Sequence, residues 1–283
     1  MSGRIVRAAF RCSFVVSIAL AWGNAVQAAA EQLAKVDGIP ALPSAAVWTE
    51  RKVHAGVAYF LDNMSARIRR FDAVADAWLA DVPLPASASA LAVDDSGIYV
   101  KFTDRVDRYG HDGALSASFP QVRGDWPMLE LIGDYLVTGL GSEVSSYRKD
   151  SGDLVDASYS SYRMQGISSM AAEGRIFGRS AAVSPSDILM LAVDASNGAL
   201  ERVIDSPYHG AFPGAAVTHA RDAGGFVVDG AGIVYSSAAL EYRGSLGGAI
   251  QGAAFASDRF VVIRGGDLVV FTNDLRETGR IAA

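Results

Sequence analysis

The stretch ALAVDDSGIYVKFTDRVDRY, residues 90–109, decides the fold class. It holds three short runs rich in Val, Ile, Tyr and Phe, which are Ala90–Val93, Ile98–Phe102 and Arg105–Tyr109, and the residues Asp, Ser and Gly stand between the first two. Short β-branched and aromatic runs bounded by turn-forming residues are typical of antiparallel strands joined by tight turns. The stretch therefore predicts three consecutive strands of one antiparallel sheet.

The third of these runs recurs along the chain. A charged residue is followed by an aliphatic residue, two variable residues and usually an aromatic one, and the aliphatic residue stands at positions 68, 106, 144, 188, 240 and 268. The mean spacing is about 40 residues, which is the length of a four-stranded propeller blade. Because residues three apart point to opposite faces of a strand, each run is apolar on both faces and packs between two sheets.

The repeat predicts an all-β protein, a β-propeller of four-stranded antiparallel blades. Six copies predict six blades, and the alternative of seven requires a further blade within the irregular stretch 205–224. The propeller domain is expected to span residues 50–283. Residues 29–49 are expected to be an N-terminal linker or a closing strand for the last blade.

The N-terminus has the layout of a secretory signal peptide. Arg4, Arg7 and Arg11 precede an apolar run of about ten residues, too short to cross a bilayer about 30 Å thick as a helix, and small-x-small cleavage sites end at positions 28 and 30. Residues 1–28 are therefore predicted to be removed, and the alternative is an uncleaved anchor. The chain is expected to be exported, either periplasmic or secreted, with no stable membrane insertion after cleavage.

Composition excludes several function classes. Loss of the three arginines would leave 22 basic against 31 acidic residues, a formal charge of −9, which disfavours nucleic acid as a partner. The one cysteine, Cys12, lies in the predicted signal peptide, so no disulfide, thiolate nucleophile or cysteine-bound metal is expected. The sequence also lacks the common hydrolase, phosphate-binding, calcium-binding and haem-attachment motifs, and no cofactor is predicted.

The turn Asp194-Ala195-Ser196-Asn197-Gly198-Ala199-Leu200 resembles the turn of bacterial YVTN-type and quinoprotein-like propellers. Tyr109-Gly110-His111-Asp112-Gly113 is a weaker instance. The resemblance implies an exported bacterial propeller at the level of the fold. Leu200-Glu201-Arg202-Val203 has no tryptophan where the quinoproteins carry one, which speaks against pyrroloquinoline quinone, and the chain has no Trp-Asp dipeptide of the WD-repeat kind.

Loop lengths distinguish the two ends of the predicted propeller. Turns between first and second strands and between third and fourth strands emerge at one end and are short, whereas the long segments 120–127, 180–187 and 205–224 belong to the other end. Long loops on a rigid scaffold commonly carry binding sites, and aromatic and arginine side chains are common anchors. The predicted binding residues are Arg123, Trp126, Tyr208, His209, Phe212, His219 and Arg221. The alternative is that these loops only cap the ring.

The first functional hypothesis is a non-catalytic binding scaffold that recognises a protein or a glycan through its long-loop end. The second is a propeller hydrolase or lyase acting on a sugar, lactone or peptide, with carboxylates such as Asp94, Asp134 and Asp258 near the channel. A third is a subunit of a cell-envelope assembly. His209 and His219, with Asp205 and Asp222, are expected to be polar loop residues, and the alternative is a metal site. The predicted site residues therefore include no metal ligand and no catalytic residue. Oligomeric state stays open.

Overall fold

The computed structural model describes residues 48–181, 183–213, 215, 217–221, 225–256 and 258–282. The predicted signal peptide, 1–28, and residues 29–47 of the predicted linker lie outside the described residues. The first strand begins at Trp48, two residues before the domain boundary that the sequence predicts.

Six antiparallel sheets follow one another along the chain, and within each sheet the strands pair in chain order. Blade 1 contains β1 (Trp48–His54), β2 (Val57–Asp62), β3 (Arg67–Asp72), β4 (Ala77–Trp78) and β5 (Val82–Pro83). Blade 2 contains β6 (Ala90–Asp94), β7 (Gly97–Lys101), β8 (Val106–Tyr109) and β9 (Leu115–Phe119). Blade 3 contains β10 (Glu130–Ile132), β11 (Tyr135–Leu140), β12 (Glu143–Arg148) and β13 (Leu154–Tyr159).

Blade 4 contains β14 (Arg163–Met170), β15 (Arg175–Ala181), β16 (Ile188–Ala192) and β17 (Ile204–Asp205). Blade 5 contains β18 (Thr218–Ala220), β19 (Phe226–Asp229), β20 (Ile233–Ser236) and β21 (Tyr242–Ser245). Blade 6 contains β22 (Gly252–Phe255), β23 (Arg259–Arg264), β24 (Asp267–Thr272) and β25 (Glu277–Ile281). The predicted all-β propeller with six four-stranded blades is confirmed.

The core lies between neighbouring blades. All five residues of β7 are buried, whereas four of the five residues of the outermost strand β9 are exposed or half-buried. One apolar cluster joins Leu61 and Ile68 of blade 1 to Ile98 and Val100 of blade 2, and equivalent clusters join the next blades along the chain. A middle strand is buried on both faces because each sheet packs between two others, which explains the two-faced apolar runs of the sequence.

The outermost strand of blade 1 is split into two short strands. β4 and β5 both pair with β3, and the chain between them bends away. The guanidinium of Arg70 donates to the carbonyl oxygen of Ala80 from Nε at 2.9 Å and from Nη2 at 2.6 Å. That carbonyl therefore bonds a buried side chain instead of a neighbouring strand.

In blade 5 the structure differs from the strand order that the repeat predicts. The repeat places Leu240 in the third strand, but Leu240 lies in the turn after β20 with φ of 55°, and β20 is itself the third strand. The first strand, β18, has only three residues and lies inside the stretch 205–224, which therefore holds no additional blade. All four described strands of blade 6 come from residues 252–281.

The connections divide between two ends as predicted. The long-loop end carries the blade-to-blade connections, including 120–129 and 206–217, and the second-to-third strand connection 182–187 of blade 4. The tight-turn end carries the first-to-second and third-to-fourth strand turns. Within the described ranges the one helix is a three-residue 3-10 turn, Ala171–Glu173, and no helix there is long and apolar enough to cross a membrane.

Candidate functional site

Loop 120–129 carries two of the predicted binding residues in opposite environments. Arg123 is exposed, whereas Trp126 is fully buried and its Nε1 donates to the carbonyl oxygen of Gly141 at 3.2 Å. The indole lies so close to Gly139 of β11 that a Cβ there would stand 2.2 Å from Trp126 Cδ2. Trp126 therefore fixes the loop to blade 3, and it does not present its ring to solvent.

Loop 206–217 is held against blade 5 by aromatic contacts. The ring of Phe212 stacks on Tyr242 with centroids 4.4 Å apart, and it meets Tyr208 edge-on at 5.1 Å and Tyr235 at 6.3 Å. The backbone N–H of Tyr242 donates to the hydroxyl of Tyr208 at 2.8 Å. Tyr208 and Phe212 are half-buried, so they serve first to order this loop and only in part as an exposed surface.

His209 of the same loop lies beside two carboxylates. Its Nδ1 is 3.5 Å from Asp187 Oδ2 and 3.9 Å from Asp205 Oδ2. Burial raises the pKa of Asp205, and the nearby charge of Asp187 adds to the rise. Asp187 is buried and accepts from the backbone N–H of Gly210 at 2.9 Å.

One imidazole and two carboxylates are donors that suit a divalent cation, and ligands at about 2.1 Å in tetrahedral geometry stand about 3.4 Å apart. The two histidine–carboxylate distances, 3.5 and 3.9 Å, are close to that spacing, so these three residues could hold a cation. The sequence missed Asp187 because it lies on a different loop. His219, which the sequence grouped with His209, lies on β18 in the central channel.

Arg221 lies at the tight-turn end, directly after β18. Its guanidinium bonds Asn273 Oδ1 of blade 6, and its Cζ stands 5.6 Å from the ring centroid of Phe226. The side chain is buried. Arg221 therefore bridges blades 5 and 6 and lies apart from Tyr208, His209 and Phe212, which the structure brings together.

A groove of about 700 Å³ opens between the outer strands of blades 3 and 4, and the sequence analysis missed it. Its lining includes Tyr159, Tyr162, Arg202, Ile204 and Asp205. Tyr159 is 69% exposed and Ile204 is 41% exposed. The last residues of β13 and β17 lead into blade-to-blade connections, so the groove faces the long-loop end.

The groove exists because blade 4 ends in an incomplete strand. β17 pairs with β16 through two residue pairs, and the preceding chain touches the sheet only at the bridge between Val193 and Leu200. β13 on the facing blade is six residues long and largely exposed. The sequence SYSSY at 158–162 places two tyrosines at the end of an outer strand, and it is the feature from which the groove could have been predicted.

The central channel has a volume of about 1030 Å³ and is lined by the first strand of every blade. On one wall Lys52 Nζ donates to Glu130 Oε1 at 2.8 Å and stands 3.9 Å from Glu50 Oε1. Glu50 Oε2 also accepts from the backbone N–H of Leu91. Burial raises the pKa of Glu50 to about 7, although 23% of the side-chain surface stays accessible to the channel.

Lys101 lies behind the same wall and is almost fully buried. Its Nζ donates to Ser89 Oγ at 3.0 Å and to the carbonyl oxygen of Trp126. Burial lowers its pKa to about 8, while the charge of Glu50 opposes that change. This wall is therefore a network of acids and amines drawn from blades 1, 2 and 3.

Arg51 and His219 also line the channel, and Arg51 points to the other face of β1 from Glu50 and Lys52. The side chain of Arg51 makes no hydrogen bond or ion pair with any residue that the structure describes, and His219 Nε2 is buried without a hydrogen-bond partner there. Burial lowers the pKa of His219 to about 4, and the positive charge of Arg51 adds to the lowering. The imidazole is therefore neutral near pH 7.

These features define the class of the protein as a six-bladed β-propeller with a polar channel and a rim groove. Two solved structures share the fold. The computationally designed Ika8 protein matches with a TM-score of 0.55 and 14% identity, over 83% of this chain and 74% of that chain. BamB from Moraxella catarrhalis matches with a TM-score of 0.52 and 13% identity, over 86% of this chain and 78% of that chain.

At these identities the likeness concerns the fold alone. It supports the fold-level resemblance to quinoprotein-like propellers that the sequence indicates. No protein-family model and no curated protein sequence matches the chain.

Proposed function

We propose that this protein is a non-catalytic binding propeller that captures a partner protein in the groove between β13 and β17. The observation that carries the proposal is the groove of about 700 Å³ with exposed Tyr159 and Ile204 at the long-loop end. Binding sites for compact ligands and side chains occupy about 300–1,000 Å³. Tyrosine and arginine are also the residue types that most often dominate protein interfaces.

The groove indicates the chemistry of the partner. β13 and β17 are the last strands of their sheets, so one edge of each backbone has no neighbouring strand within its sheet. An extended segment can add to such an edge and place alternate side chains in pockets. Tyr159 and Ile204 suit an apolar side chain, and Arg202 suits a carboxylate. The proposed ligand is therefore an extended protein segment with an apolar and an acidic residue.

Two of the three carboxylates that the hydrolase hypothesis places near the channel are held in ion pairs. Asp94 accepts from Lys149 Nζ at 2.6 Å, and Asp258 pairs with Arg259 at 2.7 Å. Ion pairing stabilises the charged form of both groups, and the pKa of each lies below its usual range despite the opposing effect of burial. The binding hypothesis needs no such groups.

Site-specific crosslinking in the producing cell tests the groove. A photoreactive amino acid at position 159 is expected to crosslink a discrete protein, and Ile204→Asp is expected to abolish that product by placing a charge in the groove. Leu115→Asp is the matched control, because Leu115 is 58% exposed on β9, the outer strand of blade 2. Persistence of the product in Ile204→Asp, its loss in Leu115→Asp, or a glycan in its place would refute the proposal.

Export is part of the same proposal, and it rests on the basic and apolar zones of residues 1–28. Cell fractionation should find the protein outside the cytoplasm, and N-terminal sequencing should read from Ala29 or Glu31. A cytoplasmic protein that retains Met1 would contradict this part while leaving the crosslinking result to stand by itself.

A further inference from the structure

Small residues line part of the channel wall. The inner strand of blade 6 places Gly252, Ala253 and Ala254 on the channel, and blade 4 contributes Gly166 and Ser168. These side chains fill little space, which leaves room beside β1. The cavity of about 1030 Å³ is consequently wide enough for a small organic molecule.

Each charged side chain on the described channel lining, except Arg51, lies close to a group of opposite charge. Lys52 meets Glu130 at 2.8 Å, and Lys149 meets Asp94 at 2.6 Å. Glu50 is attracted by Lys52 and Lys101. Arg51 remains as a guanidinium that faces the cavity with no anion among the residues the structure describes.

His219 supplies a second unfilled group on the same wall. It lies on β18 of blade 5 and lines the same cavity as Arg51, and the charge of Arg51 acts on its ring. The Nε2 atom is buried and has no protein partner in the described part of the chain, which is unfavourable for a polar atom.

We propose that the central channel binds a small organic carboxylate, with Arg51 donating to its oxygens and the imidazole of His219 beside the bound group. A guanidinium pairs with a carboxylate through two parallel hydrogen bonds. One arginine and one neutral imidazole supply a single positive charge, which matches a monocarboxylate better than a doubly charged phosphate. The site is separate from the rim groove, so its test is independent of the proposed function.

Histidine NMR provides the test, because the chain has four histidines and each ring gives its own signal. The His219 signal is assigned by its absence in His219→Gln. Sodium benzoate is the probe, titrated at pH 7 against sodium chloride of equal ionic strength, and inorganic phosphate is the comparison anion. Benzoate is expected to shift the His219 signal saturably while the exposed His209 signal stays in place.

Two variants that each remove one positive charge distinguish binding in the channel from a general effect of the protein's charge. Arg51→Gln is expected to weaken benzoate binding about tenfold or more, because charge-assisted hydrogen bonds are lost. Arg148→Gln removes the same charge from the exposed last residue of β12 and should leave binding unchanged. Unshifted His111 and His209 signals report that each variant is folded.

Three results would overturn the inference. They are the absence of a saturable His219 shift, equal benzoate binding by wild type and Arg51→Gln, and phosphate binding as tight as benzoate binding. The last would place an anion in the channel but refute the monocarboxylate class.

Discussion

Replacement of Glu50 by glutamine should stabilise the protein above neutral pH and leave it unchanged below about pH 4. The pKa of Glu50 rises from 4.5 in the unfolded chain to about 7 in the folded protein, principally through burial. The folded state therefore binds a proton more tightly than the unfolded state, so stability falls as pH rises from about 4.5 to 7 and is constant above that range. Glutamine mimics the neutral acid and carries no such cost.

The magnitude follows from the size of the shift. A difference of about 2.5 pKa units, at about 1.4 kcal/mol each, corresponds to about 3 kcal/mol as an upper value at pH 8. The pKa shift already includes the effects of the groups that face the carboxyl. These are Lys52 of β1, Lys101 of β7, Glu130 of β10 and the Leu91 N–H of β6.

Urea unfolding followed by tryptophan fluorescence, at four pH values from 5 to 8, measures the effect. The stability of the Glu50→Gln variant minus that of the wild type should grow from about 1 kcal/mol at pH 5 to at most about 3 kcal/mol at pH 8. Glu143→Gln on β12 is the control because Glu143 is exposed, and it should change stability by less than about 0.5 kcal/mol. A difference between Glu50→Gln and wild type that is independent of pH would refute the reasoning.

Two further predictions concern the packing between blades. Gly139→Ala should destabilise the protein by about 2 kcal/mol or more, because the new methyl would meet Trp126 at 2.2 Å, while Gly252→Ala, whose methyl meets nothing nearer than 3.8 Å, should be neutral in thermal unfolding. Arg179→Met should cost about 3–5 kcal/mol at pH 8, because it leaves the fully buried Asp229 without the guanidinium that now lies 3.1 Å away. The loss should be smaller at pH 5, since burial raises the pKa of Asp229 to about 6 and the lone carboxyl can then take up a proton; equal losses at both pH values in urea unfolding would count against this account.

The blade repeat could be read from the sequence because it is a local property. Runs such as Ile98–Phe102 and Arg105–Tyr109 are apolar on both faces wherever a strand lies between two sheets, and the glycines and aspartates between them form turns. The assignment failed at Leu240, where a three-residue first strand left no readable pattern upstream. Short strands contain too few residues to show a period of two.

The candidate sites could not be predicted in the same way. Trp126 was expected to be a surface anchor because it lies on a long loop, but its ring fills space above Gly139, a contact set by the path of the loop. The groove depends on where β17 ends, and an outer strand carries a weak apolar pattern because one of its edges meets solvent.

The sequence by itself determined that this protein is a β-propeller of six or seven blades, and which end bears its long loops, because strand period and turn chemistry act over a few residues. Only the tertiary structure decided which side chains meet. Lys52 and Glu130 are 78 residues apart, and Arg51 and His219 lie on different blades, yet each pair comes together in one channel. The cause is the arrangement of the blades, which places the first strand of every blade along the same channel and so joins residues that no local pattern connects.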